Sequence, residues 1–164
     1  MIIKLLTQLL GDVKLDFLGF ITLLIAGFTA CAEFTSYALV HPVIRHLPQK
    51  QHIFFEQASL KTYGRIMPIL MPVSVILTLS FAVFTKELGT IELASRFSSA
   101  GMFILATIIT IRYNVPINKA IKQWDADNPP AAWKEIRKRW MFFQSIRSWL
   151  LLIGFVLLCF SVTI

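Results

Sequence analysis

The sequence predicts an all-α integral membrane protein. We expect a bundle of four transmembrane helices, with a short interfacial helix before the first and a long last helix that extends out of the membrane. Hydrophobic side chains make up 56% of the 164 residues and charged ones only 15%, which is more apolar than a soluble domain of this size. Four apolar runs alternate with segments that contain Lys and Arg. One four-helix unit uses the whole length, so residues 1–164 are predicted to form a single domain.

Four apolar runs are the predicted crossings, and they cover residues 15–40, 66–84, 97–111 and 148–164. About 20 helical residues cross the hydrocarbon core, so the first run is long enough to tilt. The second contains Pro68 and Pro72, which predict a kink or tight packing against neighbours. The third is short, but Arg96 and Arg112 at its ends can extend their charged groups to the interface.

Two helical segments are predicted outside these runs. Residues 1–10 place apolar side chains on one helical face, as an interfacial helix would, although a disordered tail fits them nearly as well. Residues 127–130, with sequence Asp-Asn-Pro-Pro, predict a break followed by a helix start near Ala131. Helical spacing then continues towards the C-terminus, with Arg137 expected to point away from the aromatic face formed by Trp133, Ile136, Trp140 and Phe143.

Positive charge is distributed unevenly about the four runs. Twelve of the 16 Lys and Arg residues flank the first and third connections, and four lie on the other side. The positive-inside rule therefore places both connections in the cytoplasm and both termini outside, in a multi-pass protein of the cell (inner) membrane. The net charge of +7 is expected to attract anionic lipid headgroups rather than nucleic acid. A homo-oligomer is left open.

Motifs for known cofactors are absent from the sequence. Cys31 and Cys159 lie in apolar runs without a CxxC spacing, and there is no P-loop, GxGxxG turn or GxSxG elbow. His52 and Glu56 have the i, i+4 spacing of metal ligands on a helix, but no HExxH or similar motif accompanies them. We therefore predict no cofactor and keep this pair only as a weak metal candidate.

Glu33 is the most unusual residue of the first run, because an ionised carboxylate inside a membrane is costly unless it is paired or hydrated. Tyr37 and His41 follow at steps of four and extend one stripe along the helix. Arg65 and Arg112 are expected at a similar depth, so either could pair with Glu33, or both could simply reach the interface. Glu33 itself could serve only to bond a neighbouring helix.

A second polar feature consists of Asn114, Pro116 and Asn118. The two asparagines share a helical face, and the proline frees a backbone carbonyl one turn earlier, which together would form a binding wall. Alternatively, Pro116 ends the third helix and the asparagines cap loops. Arg147 lies just before the last apolar run and is expected to face the bundle.

Residues 114–118 (Asn-Val-Pro-Ile-Asn) followed by Trp124, together with the spacing of Trp140, Gln144 and Arg147, resemble the anthrone oxygenase-like family of small four-helix membrane proteins. The resemblance extends loosely over the whole chain. Gln144 stands where members of the family usually carry Asn or His.

This resemblance implies oxygenation of a polycyclic phenolic anthrone to a quinone without an evident redox cofactor. Such chemistry needs a base, a pocket that stabilises the resulting anion, and access for oxygen. The implied roles are His41 or Glu33 as the base, Arg147 and Arg112 as anion stabilisers, and Asn114 and Asn118 as groups that orient ring oxygens. Further substrate-binding candidates are Tyr37, Arg65, Gln144, Trp124 and Trp140, of which the two tryptophans could instead lie at the membrane interface.

Two functions are compatible with these features. The first is a membrane enzyme or binding protein whose polar pocket, near the cytoplasmic leaflet, takes a lipophilic, aromatic or quinone-like small molecule. The alternative is a non-enzymatic structural or partner-binding subunit. Its helices would pack through small residues, namely Gly19, Ala26, Gly27, Ala30 and Ser98 to Gly101.

Overall fold

The computed structural model describes residues 17–84 and 89–163, and most of them are helical. Four long helices are present in this part of the chain: α1 (Phe17–Ile44), α2 (Gln49–Phe84), α3 (Thr90–Ile121) and α4 (Trp133–Phe160). All four are long and apolar enough to cross a membrane, which confirms the predicted fold class. The predicted interfacial helix at residues 1–10 lies outside the described residues.

The four helices form a closed ring in chain order. Each helix packs against the helices that precede and follow it, and α4 also packs against α1. The contact between α3 and α4 is the most extensive. Because neighbours in sequence are neighbours in space, the chain needs only short connections, as in other up-and-down bundles. The protein is therefore a multi-pass membrane protein.

The helices are longer than the apolar runs that predicted them. Helix α2 starts at Gln49, well before the run at residues 66–84, and remains continuous through its two prolines. Helix α3 likewise continues to Ile121, so the expectation that Pro116 could end it was wrong. Helix α4 begins at Trp133, close to the predicted start, and ends at Phe160. An apolar run marks only the part of a helix that meets lipid, and polar turns extend beyond it.

Small residues allow the helices to approach closely. A Cβ atom at Gly27 would lie 2.8 Å from the Phe155 ring, and one at Gly154 would lie 3.2 Å from the Phe103 ring. These contacts join α1 to α4 and α3 to α4. The buried core contains Ala26, Ala30, Met71, Phe81, Phe103, Ala106, Leu151 and Leu158. Small residues of α1 thus serve packing within this chain.

Candidate functional site

A buried carboxylate forms the centre of the polar network. Glu33 in α1 is 1% exposed, and its Oε2 atom accepts hydrogen bonds from Arg147 Nη2 at 2.8 Å and Gln144 Nε2 at 2.9 Å. Arg147 Nη1 donates to Thr110 Oγ1 at 3.1 Å. Ser148 Oγ donates to the Glu33 backbone carbonyl at 3.2 Å. The network therefore joins α1, α3 and α4, and Arg147 faces the bundle as predicted.

The second oxygen of this carboxylate has a different environment. Glu33 Oε1 is buried and accepts no hydrogen bond from any described residue, and the same holds for Gln144 Oε1 as an acceptor and for Arg147 Nε as a donor. A buried ion pair is stable only when its geometry and its remaining hydrogen bonds offset the loss of hydration. The pair is thus incompletely satisfied, which leaves it able to bond a ligand.

Two π-helical turns position this network. In α1 the turn covers Ser36–Val40, and in α3 it covers Thr110–Asn114. Each is closely followed by a proline, Pro42 or Pro116, which lacks the N–H that a regular helix needs. Such turns widen a helix and are frequent at functional sites.

The turn in α1 also changes the predicted stripe of polar residues. In a regular helix His41 would lie about 80° around the axis from Glu33, and the extra residue of the π-helical turn reduces this to about 20°. Both side chains line the same cavity. Tyr37 does not line it, and its ring packs against Phe34 with a centroid separation of 6.1 Å. The expectation that all three share one face is therefore correct only for Glu33 and His41.

A second buried carboxylate lies nearer the end of the bundle. Glu56 in α2 is 4% exposed and accepts a hydrogen bond from Arg137 of α4. Its Oε1 atom lies 3.7 Å from His41 Nδ1 and 3.6 Å from His52 Nε2, too far for a normal hydrogen bond but close enough to attract a protonated imidazole. The Arg137 guanidinium lies 4.3 Å from the centre of the Trp140 ring.

The contacts of Glu56 are relevant to the weak metal candidate formed by His52 and Glu56. His52 and Glu56 do lie on one face of a helix, as their spacing predicted, but Arg137 already binds the Glu56 carboxylate. Among residues 17–84 and 89–163, no group of three or more potential metal ligands is present. The absence of a cofactor stays a prediction.

Trp140 links the two predicted asparagines. Its indole N–H donates to Asn118 Oδ1 at 2.7 Å, and its backbone carbonyl accepts from Asn114 Nδ2 at 3.3 Å. Its ring also lies against His41, with centroids 4.9 Å apart. The two asparagines thus fix α3 to α4 beside the polar network instead of capping loops.

An apolar cavity of about 560 Å³ lies among the four helices. Cavities that hold small molecules fall in the range of about 300–1,000 Å³ and are lined mainly by apolar side chains with a few polar groups. Apolar side chains of α2, including Met67 and Met71, form much of the wall. The predicted site residues among its lining are Glu33, His41, Asn118, Trp140, Arg147 and the weak metal candidate Glu56.

Other predicted site residues lie away from this cavity. Gln144 and Asn114 are fully buried, and each donates a hydrogen bond to a residue of the cavity wall, Gln144 to Glu33 and Asn114 to Trp140. Arg112 is exposed, and its guanidinium lies 5.9 Å from the ring centre of the adjacent Tyr113.

Two further candidates lie near the connections that flank the bundle. Arg65 is exposed and lines a separate groove, and Trp124 is half-buried beyond the end of α3. The sequence suggested Arg65 or Arg112 as the partner of Glu33, but the structure pairs Glu33 with Arg147. Both arginines occupy outward positions on their helices, where they can reach water or headgroups.

Sequence reasoning missed Arg137, which was expected to point away from the aromatic face. It is 7% exposed and lies inside the bundle. The signal was present, because Arg137, Trp140, Gln144 and Arg147 follow one another at steps of three and four, which place them on one helical face. Thr110 was missed because a threonine inside an apolar run carries no distinguishing signal.

The fold and the site together define a class: a four-span helical membrane protein with a mainly apolar cavity and two buried carboxylate–arginine pairs. The model of the Anthrone oxygenase family matches residues 60–157, which is more than half of the chain, and the protein belongs to that family. The match includes Asn114, Asn118 and Arg147 but begins within α2, so it does not cover α1, which carries Glu33 and His41. No curated protein and no solved structure matches the chain.

Proposed function

We propose that the protein binds a planar, lipophilic aromatic molecule in the cavity and oxygenates it as an anthrone is oxygenated to a quinone. One observation carries this proposal: a mainly apolar cavity of about 560 Å³ is lined by two carboxylates, an imidazole and a guanidinium. Such a combination suits a flat apolar ligand with a few ring oxygens. Membership of the family supports the same chemistry.

The reaction needs one proton acceptor and one oxidant. The base removes a proton from the ring methylene carbon, the resulting anion spreads onto the ring oxygen, and dioxygen adds to the carbon. The base returns its proton to the peroxide so formed, and loss of water from this hydroperoxide leaves a carbonyl group, so anthrone and O₂ give quinone and H₂O. Dioxygen is the only oxidant in this scheme, and no resident cofactor is proposed.

His41 is the better placed of the two predicted bases. Its Nδ1 atom lies 3.7 Å from Glu56, so the carboxylate stabilises the imidazolium that forms when Nε2 takes the substrate proton. Arg137 holds Glu56 in position. Glu33 Oε2, by contrast, already accepts two hydrogen bonds, and only its Oε1 atom is left to take a proton.

Arg147 would stabilise the substrate anion. Its guanidinium is held by Glu33 and Thr110, and Arg147 is part of the cavity wall. A fixed positive group where negative charge develops lowers the barrier without costly reorganisation. Asn118 and Trp140 form another part of the wall and would orient a second ring oxygen.

The test compares two histidine variants of the protein in lipid nanodiscs. With a hydroxylated anthrone and air, wild type should consume one O₂ per quinone formed, above the rate of empty nanodiscs. His41→Gln should lower the rate about 10²-fold or more, the usual contribution of a general base. His46→Gln, at an exposed position beyond α1, should leave it unchanged. Equal rates in both variants would exclude His41 as the base.

The same assay separates the enzyme from the alternative of a structural or partner-binding subunit. A wild-type rate no faster than that of empty nanodiscs, together with no binding of the anthrone under nitrogen, would favour the subunit. A homo-oligomer is compatible with either function and is tested by mass measurement in nanodiscs.

We also infer that the basic side of the bundle faces the cytoplasm, with both termini outside the inner membrane. The twelve-to-four distribution of Lys and Arg supports this orientation. In a variant that lacks Cys31 and Cys159, His46→Cys introduces a single thiol. A membrane-impermeant thiol reagent should label it only after the cell membrane is permeabilised. Labelling in intact cells would show that the protein has the opposite orientation.

A further inference from the structure

A basic groove lies on the outside of the bundle between α2 and the end of α3. It is open, has a volume of about 630 Å³, and is distinct from the cavity described above, which it adjoins at Leu60 and Gly64. Three of its lining residues are cationic: Lys61 and Arg65, one helical turn apart on α2, and Lys122, which follows α3. In the described part of the chain, no Asp or Glu lines it.

The three cations have no anionic partner among the described residues. Each salt bridge that the structure contains in residues 17–84 and 89–163 involves other cations, such as Lys50 with Asp127 at 2.7 Å. Like charges placed together repel one another, and an anion in the groove would relieve that repulsion. The groove is thus complementary to a compact, multiply oxygenated anion.

The position of Lys122 is fixed by the fold. The side-chain amide of Gln57 in α2 donates to the backbone carbonyls of Ile121 at 3.0 Å and Trp124 at 2.8 Å. These bonds hold the end of α3 against α2. The Lys122 side chain lies close to α2, since a Cβ atom built at Gly64 would be 3.9 Å from Lys122 Nζ, an ordinary van der Waals contact. The charge from α3 is therefore held next to the two charges of α2.

We propose that this groove binds the phosphate of an anionic phospholipid. Arg65 immediately precedes the apolar run at residues 66–84, so the three charges lie at the depth of lipid headgroups on the basic side. Ile69, one helical turn further into the apolar run than Arg65, is 64% exposed and offers an apolar surface to the acyl chains of the lipid. A lipid, unlike a free phosphate, satisfies both the charges and this surface.

Native mass spectrometry of the full chain in detergent tests the site. The probe is a phosphatidylglycerol, compared with a phosphatidylcholine of the same acyl chains. The groove variant carries Lys61→Gln, Arg65→Gln and Lys122→Gln. The control variant carries Lys134→Gln, Lys138→Gln and Arg139→Gln, which removes the same charges from α4 outside the groove.

Wild type should bind the first phosphatidylglycerol more tightly than phosphatidylcholine. The groove variant should lose affinity on the order of 100-fold, at about fivefold per basic residue near an anionic lipid, while the control variant changes less than about twofold. Circular dichroism checks that the helices remain. Should the triple variant unfold, Lys122→Gln alone is compared with Lys138→Gln, and only the former should lose about fivefold.

Three results would overturn the proposal. Equal losses in the groove and control variants would mean that net charge alone attracts lipid. Equal binding of the two lipids by wild type would mean that the phosphatidylglycerol headgroup is not selected. Displacement of phosphatidylglycerol by an equal concentration of glycerol phosphate would show that the groove takes a soluble phosphate. Because no turnover is measured, these outcomes are independent of the proposed oxygenase function.

Discussion

Replacing Arg147 by Met tests whether the Glu33 network stabilises the bundle as its geometry indicates. The substitution removes the cation that donates to Glu33 Oε2 at 2.8 Å and to Thr110 Oγ1 at 3.1 Å, and it leaves a carboxylate that is 1% exposed. Breaking a buried pair in this way costs about 3–5 kcal/mol, limited by the ability of the carboxylate to take up a proton. A large loss of stability is therefore expected.

The measurement is reversible unfolding by SDS in mixed micelles, followed by the fluorescence of the four tryptophans. Adding Glu33→Gln to Arg147→Met removes both charges. The double variant should therefore lose about 2–3 kcal/mol less unfolding free energy than the two single variants lose in sum. Arg112→Met, at an exposed position of α3, is the matched control and should change stability by at most about 0.5 kcal/mol. If Arg147→Met were as mild as this control, the pair would contribute nothing and the reasoning would fail.

Two further substitutions probe α4 in the same unfolding assay. Arg137→Met should destabilise the protein by about 3 kcal/mol because it leaves Glu56 buried without its cation, whereas the adjacent exposed Lys138→Met should have little effect. Gly154→Val should cost about 1–3 kcal/mol by overpacking, since even its Cβ lies 3.2 Å from Phe103 and Met102. Gly101→Val should not destabilise the protein in this way, because a Cβ atom at Gly101 meets nothing within 4 Å. Equal effects of the two valines would refute the packing argument.

The number of crossings and the unusual carboxylate were predictable from the sequence. Charge-free runs identify membrane segments because an unpaired charge in lipid is so costly, and the same cost makes Glu33 stand out in the first run. Arg147, at the start of the last run, was correctly expected to face inwards. These inferences depend on the price of placing charge in an apolar medium and need no knowledge of which helices are neighbours.

The partners of these residues were not predictable in the same way. Pairing depends on how the helices are rotated, and the π-helical turn at Ser36–Val40 rotates His41 relative to Glu33 without any signal in composition. A proline follows both such turns, but proline alone equally suggested that α3 ended. Arg137 shows the opposite case, because its regular spacing from Trp140 was visible and only the assumption that charges face water hid it.

The two arginines of α4 favour a functional role over a purely structural one. Arg137 and Arg147 are ten residues apart, about 15 Å along the helix, and each binds a carboxylate from a different helix. Buried ion pairs rarely stabilise a protein more than well-packed apolar side chains of similar volume do, so packing alone does not explain two of them in so small a bundle. Both carboxylates border the cavity. A Glu33→Gln, Arg147→Met variant that stays folded but lacks the proposed anthrone turnover of wild type would show that the pair contributes to function. Wild-type activity in this variant would indicate a purely structural role for the pair.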